Sequence, residues 1–563
     1  MAEAEFDYVI VGAGSAGCVL ANRLSADGRH RVLLIEAGGD DRPLHNPAQL
    51  WSNLMIQTPI GFGRTLNDPK VNWLYETEPD AGSGGRAHRW PKGKVLGGSS
   101  SINGLLYIRG QHADFDGWRD SGCAGWGYED VRPYFRRAEH QERGESEWHG
   151  VGGPQNVADF STRHALSAAM LEACVEAGIP RSEDINAAEQ EGVTWFQLTT
   201  RNGQRCSTAV GYLHPVMGRA NLKVLTYAHA TRVLFEGKRA VAVEYLQQGQ
   251  RQRVRAAAEV ILAAGAVASP QLLEVSGVGG GELLQRHGIP LVSDLPGVGE
   301  NLQDHYMVGA QWRVKSRYVT VNELSHGLRL GREVLKYVFT RKGLLSFAVA
   351  HIVAFCRSAP ALTRPDLQFH LMAASMDLEQ LAKTQALVLE REPGMTCTPC
   401  QIRPESRGHV HIKSPDSLTY PAIVANYLSH PLDQATAIAG MKLARKIMNQ
   451  PALAPYLEST ADGFGHTDEA MLSYARVAGT TLYHAVGTCK MGRDASAVVD
   501  PELRVQGVER LRVVDASIMP RITSGNTNAA TIMIAEKGAD LILGKTPGST
   551  AARQPARAAA AAL

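Results

Sequence analysis

The most restrictive feature of the sequence is its opening. Residues 8–11 (YVIV) are an apolar β-branched run, 12–17 read GAGSAG, 18–27 (CVLANRLSAD) carry helical spacing, and 31–35 (RVLLI) are a second apolar run that ends at Glu36. Strand, glycine turn, helix and strand follow one another within about 30 residues, with an acid about 20 positions past the glycines, as in a dinucleotide-binding βαβ unit. Gly12 permits the tight turn. Gly14, with Ser15 and Ala16 beside it, lets backbone approach a pyrophosphate, and Gly17 lets the helix pack on the strand. The N-terminus of the helix presents unpaired N–H groups to phosphates. Glu36, followed by Ala37, can accept hydrogen bonds from ribose hydroxyls and disfavours a 2′-phosphate, which argues against NADP. This unit does not separate FAD from NAD.

Two further apolar runs, 259–264 followed by Gly265 and 511–514 followed by Asp515, read as strands of the same parallel sheet. They lie far apart, so the cofactor domain of this α/β chain is expected to be discontinuous, built from 6–155, 216–310 and 476–544. Within it, 221–254 reads as antiparallel strands in a sheet stacked near the dinucleotide. A substrate domain is expected from 156–215 and 311–475, the latter mixing amphipathic helices (327–339, 431–449) with strand-like pieces (366–373, 408–413). The low-complexity end, 545–563, reads as a frayed, disordered tail.

Charge narrows the partners. Basic and acidic side chains number 58 and 56, a net +2, and no Lys/Arg run could track a phosphate backbone, so nucleic acid is not an expected partner. Eight cysteines are scattered without a disulfide framework, and Cys397/Cys400 has CxxC spacing but no second pair, so no metal set is expected. The acidic start runs straight into a strand without a signal-peptide pattern, and no apolar stretch of about 18 residues could span a membrane. The expected location is cytoplasmic, with peripheral contact at the inner face of the cytoplasmic membrane left open. Oligomeric state is not legible.

Several motifs then converge. The segment 93–110 reads GKVLGGSSSINGLLYIRG and 265–279 reads GAVASPQLLEVSGVG. LPGVGENLQDH (295–305), YHAVGTCKMG (483–492), VVDASIMP (513–520) and SGNTNAATIMIAEKGADLI (524–542) follow in order. With the opening fingerprint these resemble the glucose–methanol–choline (GMC) oxidoreductase family over nearly the whole chain, and most of all its choline-dehydrogenase-type bacterial alcohol dehydrogenases. The resemblance implies FAD, a discontinuous Rossmann-like flavin domain and a substrate domain with a six-stranded antiparallel sheet. It places Gly97, Gly98, Ser99, Asn103, Gly104, Leu105 and Leu106 along the flavin, with Trp73 and Gly265 also at the cofactor. It places Asp515 and Ala516 near the ribityl chain and phosphates, Thr527 near N1/O2 of the ring, and the Val233 backbone at adenine. Small residues at 97–101 suit backbone lying against a flat ring. Some choline-oxidising relatives tether flavin through a His; Ile102 holds that place here, so non-covalent FAD is expected.

By the same resemblance His484 and Asn526 are the catalytic pair. Alcohol oxidation removes a hydroxyl proton, which imidazole accepts near neutrality, while the α-hydrogen passes as hydride to flavin N5. Asn cannot titrate but can orient the substrate oxygen, and Asn528 stands two positions on as the other candidate. The apolar stretch 343–356 is expected to line the pocket, and where choline-oxidising relatives carry an acid it offers His351. Quaternary ammonium needs a carboxylate or an aromatic cage, for which Tyr483 and Trp73 offer faces. An uncharged primary aliphatic or aryl alcohol is therefore the expected substrate, and a quinone-like acceptor is favoured over dioxygen. The rival readings are an alcohol oxidase releasing peroxide, a choline dehydrogenase, an NAD-dependent dehydrogenase, a non-redox lyase on the same fold and a non-enzymatic flavin carrier.

Overall fold

The computed structural model describes residues 4–377, 388–459 and 462–545. The expected tail lies outside the described residues from 546 onward. Strand Ala4–Val11, helix Ser15–Leu24 and strand Val32–Ile35 form the opening βαβ unit. Five strands run parallel, in the spatial order Leu222–Leu225, Val32–Ile35, Ala4–Val11, the distal part of Gln250–Leu262, and Leu511–Val513. Val9, Ile10 and the whole of Val32–Ile35 are buried, as a parallel strand covered on both faces requires.

The stretch 221–254 folds differently from its reading. Leu222–Leu225 joins the parallel sheet as an edge strand beside Val32–Ile35. Ala228–Glu236 and Arg239–Gln247 are antiparallel, but they continue the same sheet rather than stack on it. The reason is the length of Gln250–Leu262: its first part pairs back onto Arg239–Gln247 across a tight turn at Gln248-Gly249, both with positive φ, and its second part runs parallel to Ala4–Val11.

The last helix, Asn528–Ile542, packs along Ser15–Leu24. Glu536, wholly buried on it, accepts from Arg23, Arg137 and the Tyr212 hydroxyl. These bonds hold its carboxylate charged in spite of burial, with a pKa below the usual range.

The second sheet is antiparallel throughout. Its spatial order is Thr480–Thr481, Tyr306–Met307, Gly394–Gln401, Leu367–Met372, Ile352–Cys356 and Gly192–Trp195. Ala310–Arg313 prolongs the Tyr306–Met307 position along the same neighbour, so seven segments fill six places. Alternation sorts its side chains. Phe369, Leu371, Met395 and Cys397 face back into a core with helices Ala165–Glu176 and Pro431–Met448. His370, Met372, Thr396 and Thr398 face forward onto a cavity between the two sheets. Cys397 and Cys400, an odd number of residues apart, fall in different core clusters. Of the other expected pieces, helix Gly327–Thr340 forms as read, whereas His409–His411 pairs only with Ala422–Val424, apart from the main sheet.

Candidate active site

The carboxyl ends of the parallel strands open onto a cavity of about 440 Å³, within the range of roughly 300–1,000 Å³ usual for small-molecule sites. Helices Ser15–Leu24, Gly265–Val275 and Asn528–Ile542 all begin at its wall; Asp515 takes the first N–H of Gly265–Val275, while the other two have no side chain capping the N-terminus. Two uncapped sets of N–H groups and three positive dipole ends therefore converge on one space, which suits a diphosphate and an anionic ring edge. Two glycine turns meet there: a Cβ on Gly98, whose φ is +52°, would lie 2.6 Å from Gly14 Cα. A Cβ on Gly17 would lie 1.8 Å from the Gly12 carbonyl oxygen, so this glycine serves helix–strand contact and does not line the space.

Gly12, Gly14, Ser15, Ala16, Glu36, Ala37, Trp73, Gly98, Ser99, Asn103, Gly104, Leu105, Leu106, Gly265, Asp515, Ala516 and Thr527 all line the cavity, and so do His484 and Asn526. Gly97 stands just behind, its N–H donating to the Ala13 carbonyl. The Glu36 carboxylate accepts from Ala13 and Gly38 N–H at 2.9 and 2.8 Å, and burial pushes its pKa up to about 7. Asp515, an acid at the end of a buried strand, is fully satisfied. It accepts from Gly265 N–H, Ser269 Oγ, Ser517 N–H and Ser517 Oγ at 2.6–2.8 Å. Asn103 Oδ1 accepts from Leu105 N–H and from Arg205 at 3.1 and 2.7 Å. The residues present thus fit a dinucleotide at one end of the cavity.

At the other end stands an ordered chain of rings and amides. His305 Nε2 lies 3.1 Å from the Ile402 carbonyl oxygen, which can only accept, so that nitrogen carries the proton. Burial holds His305 neutral, its pKa down at about 3, so its Nδ1 is a lone pair. His484 Nδ1, 2.9 Å away, must donate to it. His484 Nε2 is then the bare acceptor, 3.1 Å from the Asn526 amide nitrogen, and Gln368 donates to Asn526 Oδ1 at 3.4 Å. Desolvation, followed by the fields of His305, His370 and Lys92, lowers the His484 pKa well below that of free imidazole.

The turn bearing His484 is fixed from below by Asp304. Its buried carboxylate accepts from the backbone N–H groups of His484 and His305 at 2.7 and 2.9 Å, and from the Thr481 and Tyr427 hydroxyls at 2.5 Å each. Tyr483 takes a left-handed φ of +66°, a strained choice for a non-glycine residue. Its carbonyl accepts from Lys92 Nζ at 2.7 Å, a buried amine whose pKa falls to about 8.

Comparison with known proteins gives the same picture. The family profile for GMC oxidoreductase matches residues 6–307, and a second, also for GMC oxidoreductase, matches 404–535. The chain belongs to the GMC oxidoreductase family. The family binds FAD and acts on CH–OH donors. Its curated relatives include an "alcohol dehydrogenase [acceptor]" of Pseudomonas putida, 43% identical over 548 residues that cover 96% of each chain. Mitochondrial choline dehydrogenase of Homo sapiens is also 43% identical, over 96% of this chain and 90% of the relative. Among solved structures, pyridoxine 4-oxidase from "Mesorbium loti" superposes with a TM-score of 0.85 at 31% identity, covering 96% of this chain and 99% of that one.

In this GMC oxidoreductase some expected residues stand elsewhere. Val233 is buried away from the cavity and its N–H donates to Ser276 Oγ at 2.9 Å; the strand reaches the cavity through Ala228, His229 and Ala230 instead. His351 is packed between Phe160 and Phe347 with its Nδ1 2.7 Å from Ser167 Oγ, and the cavity wall there is Val349 and Ala350. The Trp73 ring contacts Tyr75 and His229, and its backbone N–H donates to the Lys92 carbonyl at 2.9 Å. Between the two asparagines, Asn526 faces His484, while Asn528 Oδ1 accepts from Ser15 Oγ at 2.7 Å. Sequence reasoning missed Lys92, Asp304, His305, Gln368 and His370. Of these His370 is notable: it lines the cavity, both its ring nitrogens lack a partner among the described residues, and its pKa falls to about 4. The one available signal was the Asp304-His305 pair inside the quoted motif ending at 305, two chemically capable residues side by side.

Proposed function

We propose that this chain oxidises an uncharged primary alcohol, aliphatic or aryl, to the aldehyde, and passes the electrons to a quinone-like acceptor. The observation that carries this is the directed hydrogen-bond chain from the Ile402 carbonyl through His305 to His484. It leaves the His484 Nε2 lone pair at the cavity wall, next to an amide that can hold a substrate oxygen. In this reading His484 Nε2 accepts the hydroxyl proton, and the resulting imidazolium keeps its Nδ1–H on His305. Asn526 Nδ2–H donates to the carbinol oxygen and orients it, stabilising the negative charge that grows there as the proton leaves. FAD, held by the glycine turns and the three helix N-termini, supplies when bound the acceptor for the electron pair of the α-C–H bond.

Two features support an uncharged substrate. Among the described lining residues the acids are Glu36 and Asp515, both at the dinucleotide end, while the His484 end carries the Lys92 amine. A quaternary ammonium would meet a like charge there, and the nearby Asp304 carboxylate stands behind the wall, already accepting four hydrogen bonds, so it offers no direct partner. Ile102 lies in the cavity wall where a tethering side chain would stand, which supports dissociable FAD.

The experiment is an anaerobic stopped-flow panel of alcohols, watching flavin bleach. Medium-chain and aryl primary alcohols are expected to outpace choline, acid precipitation to release all the yellow colour, and aerobic turnover to yield little peroxide. Faster bleaching by choline would reverse the substrate reading. One peroxide per alcohol consumed would replace the quinone by dioxygen, and flavin left on the denatured chain would overturn non-covalent binding.

A further inference from the structure

Helix Gly327–Thr340 lies on the surface with a single buried residue, Tyr337. The Tyr337 hydroxyl donates to the Gly203 carbonyl, and Glu333 accepts from Leu344 N–H, so the inner face is anchored by few contacts. At about 100° per residue, Leu328, Leu335 and Phe339 fall within about 40° of one another and about 180° from Tyr337. They are 96%, 61% and 82% exposed, and Val338 beside them is 55% exposed. The helix therefore has a second apolar stripe, turned away from the protein, which folding of this chain leaves uncovered among the described residues.

Charge says what covers it. Between 327 and 342 five basic side chains, Arg329, Arg332, Lys336, Arg341 and Lys342, stand against one acid, Glu333, which is turned inward to cap Leu344. Arg332 and Lys336 flank the stripe directly, long enough to lay their stems along apolar matter and keep their charges in a headgroup layer. An outward apolar stripe bordered by cations is the pattern of a helix lying in a membrane interface. No described helix is long and apolar enough to cross a bilayer.

We infer that this face is a docking surface for a lipid bilayer containing anionic headgroups, with Leu335 and Phe339 entering the acyl boundary and Arg332 and Lys336 meeting the phosphates. The surface is close in the chain to the active site, since Val349, a few residues past the helix, lines the cavity.

The test is flotation of the flavin-loaded protein with vesicles of phosphatidylcholine alone or mixed with phosphatidylglycerol. The holoprotein is expected to float with the mixed vesicles, less with the neutral ones, and less as salt rises. Leu335→Ser with Phe339→Ser, both exposed and so without cost to folding, is expected to weaken partition at least about tenfold while flavin content and alcohol-driven bleaching stay unchanged. Arg332→Glu with Lys336→Glu is expected to erase the preference for anionic vesicles. Failure of the holoprotein to float, or equal flotation of the serine variant, overturns the inference. Dimerisation in solution that the serine variant abolishes would also overturn it, assigning the face to a second copy.

Discussion

His305 keeps its Nε2–H on the Ile402 carbonyl and offers its Nδ1 to His484, so a backbone oxygen two hydrogen bonds away decides which nitrogen of His484 is free. Replacing His305 by Leu removes that acceptor, leaves the His484 Nδ1–H unpaired in a buried place and lets the other tautomer compete. Flavin reduction is expected to slow by roughly 10- to 100-fold with flavin still bound, corresponding to a penalty of about 1–3 kcal/mol. His305→Gln, whose amide oxygen can accept, is expected to recover part of the rate, and equal rates in the two variants would deny His305 this role. The depressed pKa of His484 adds a pH prediction. Its base form persists as pH falls below the ordinary imidazole value, so the acid limb of kcat/KM lies below pH ~6.5. A limb at or above pH 7 would mean that the base is not held as described.

At the scale of elements, the opening βαβ unit was legible because its signal is local: period, glycine turn and acid all sit within one short segment. The long strand Gln250–Leu262 was harder. Its two halves pair with different neighbours in opposite directions, and periodicity reports neither partner nor direction. The small residues at 97–101 read as backbone for a flat ring, but the close contact of Gly98 is tertiary, since it lies against Gly14 of the opening unit. Gly98→Ala forces a Cβ into that contact at an unfavourable φ. The ratio of flavin to protein absorbance after purification is expected to fall severalfold, whereas Gly331→Ala, whose Cβ would meet nothing, leaves it unchanged. Full flavin content in Gly98→Ala would show that the two turns do not shape the site.

Across the whole molecule, the site is assembled from distant stretches, among them those around residues 12–39, 92–106, 228–230, 263–272, 304–305, 368–372 and 483–528. Motifs with a family resemblance exposed the ends of this assembly, His484, Asn526 and the glycine turns. They did not expose Asp304, Lys92 or His370, whose roles come from burial and neighbours that only the folded chain brings together. The same burial has a global consequence. His305, His351 and His370 are held at about 3 to 4, and His484 well below its ordinary value. Unfolding frees each to take a proton near pH 6.5, so the native state binds fewer protons than the unfolded one below that pH and loses stability as pH falls. Each group costs about 1.4 kcal/mol per pH unit while the pH lies between its folded and its unfolded value. Urea midpoints of the holoprotein are expected to drop as pH falls below about 6.5, and a flat profile there would contradict the burial of neutral imidazoles.

The central claim is that His484 takes the carbinol proton at Nε2 from its place at the cavity wall. It is tested most directly by anaerobic single-turnover reduction of the His484→Ala holoprotein with a primary alcohol that reduces the parent. The expected result is full flavin occupancy with a reduction rate lower by about 10²- to 10⁴-fold. Reduction at the parent rate would contradict the account.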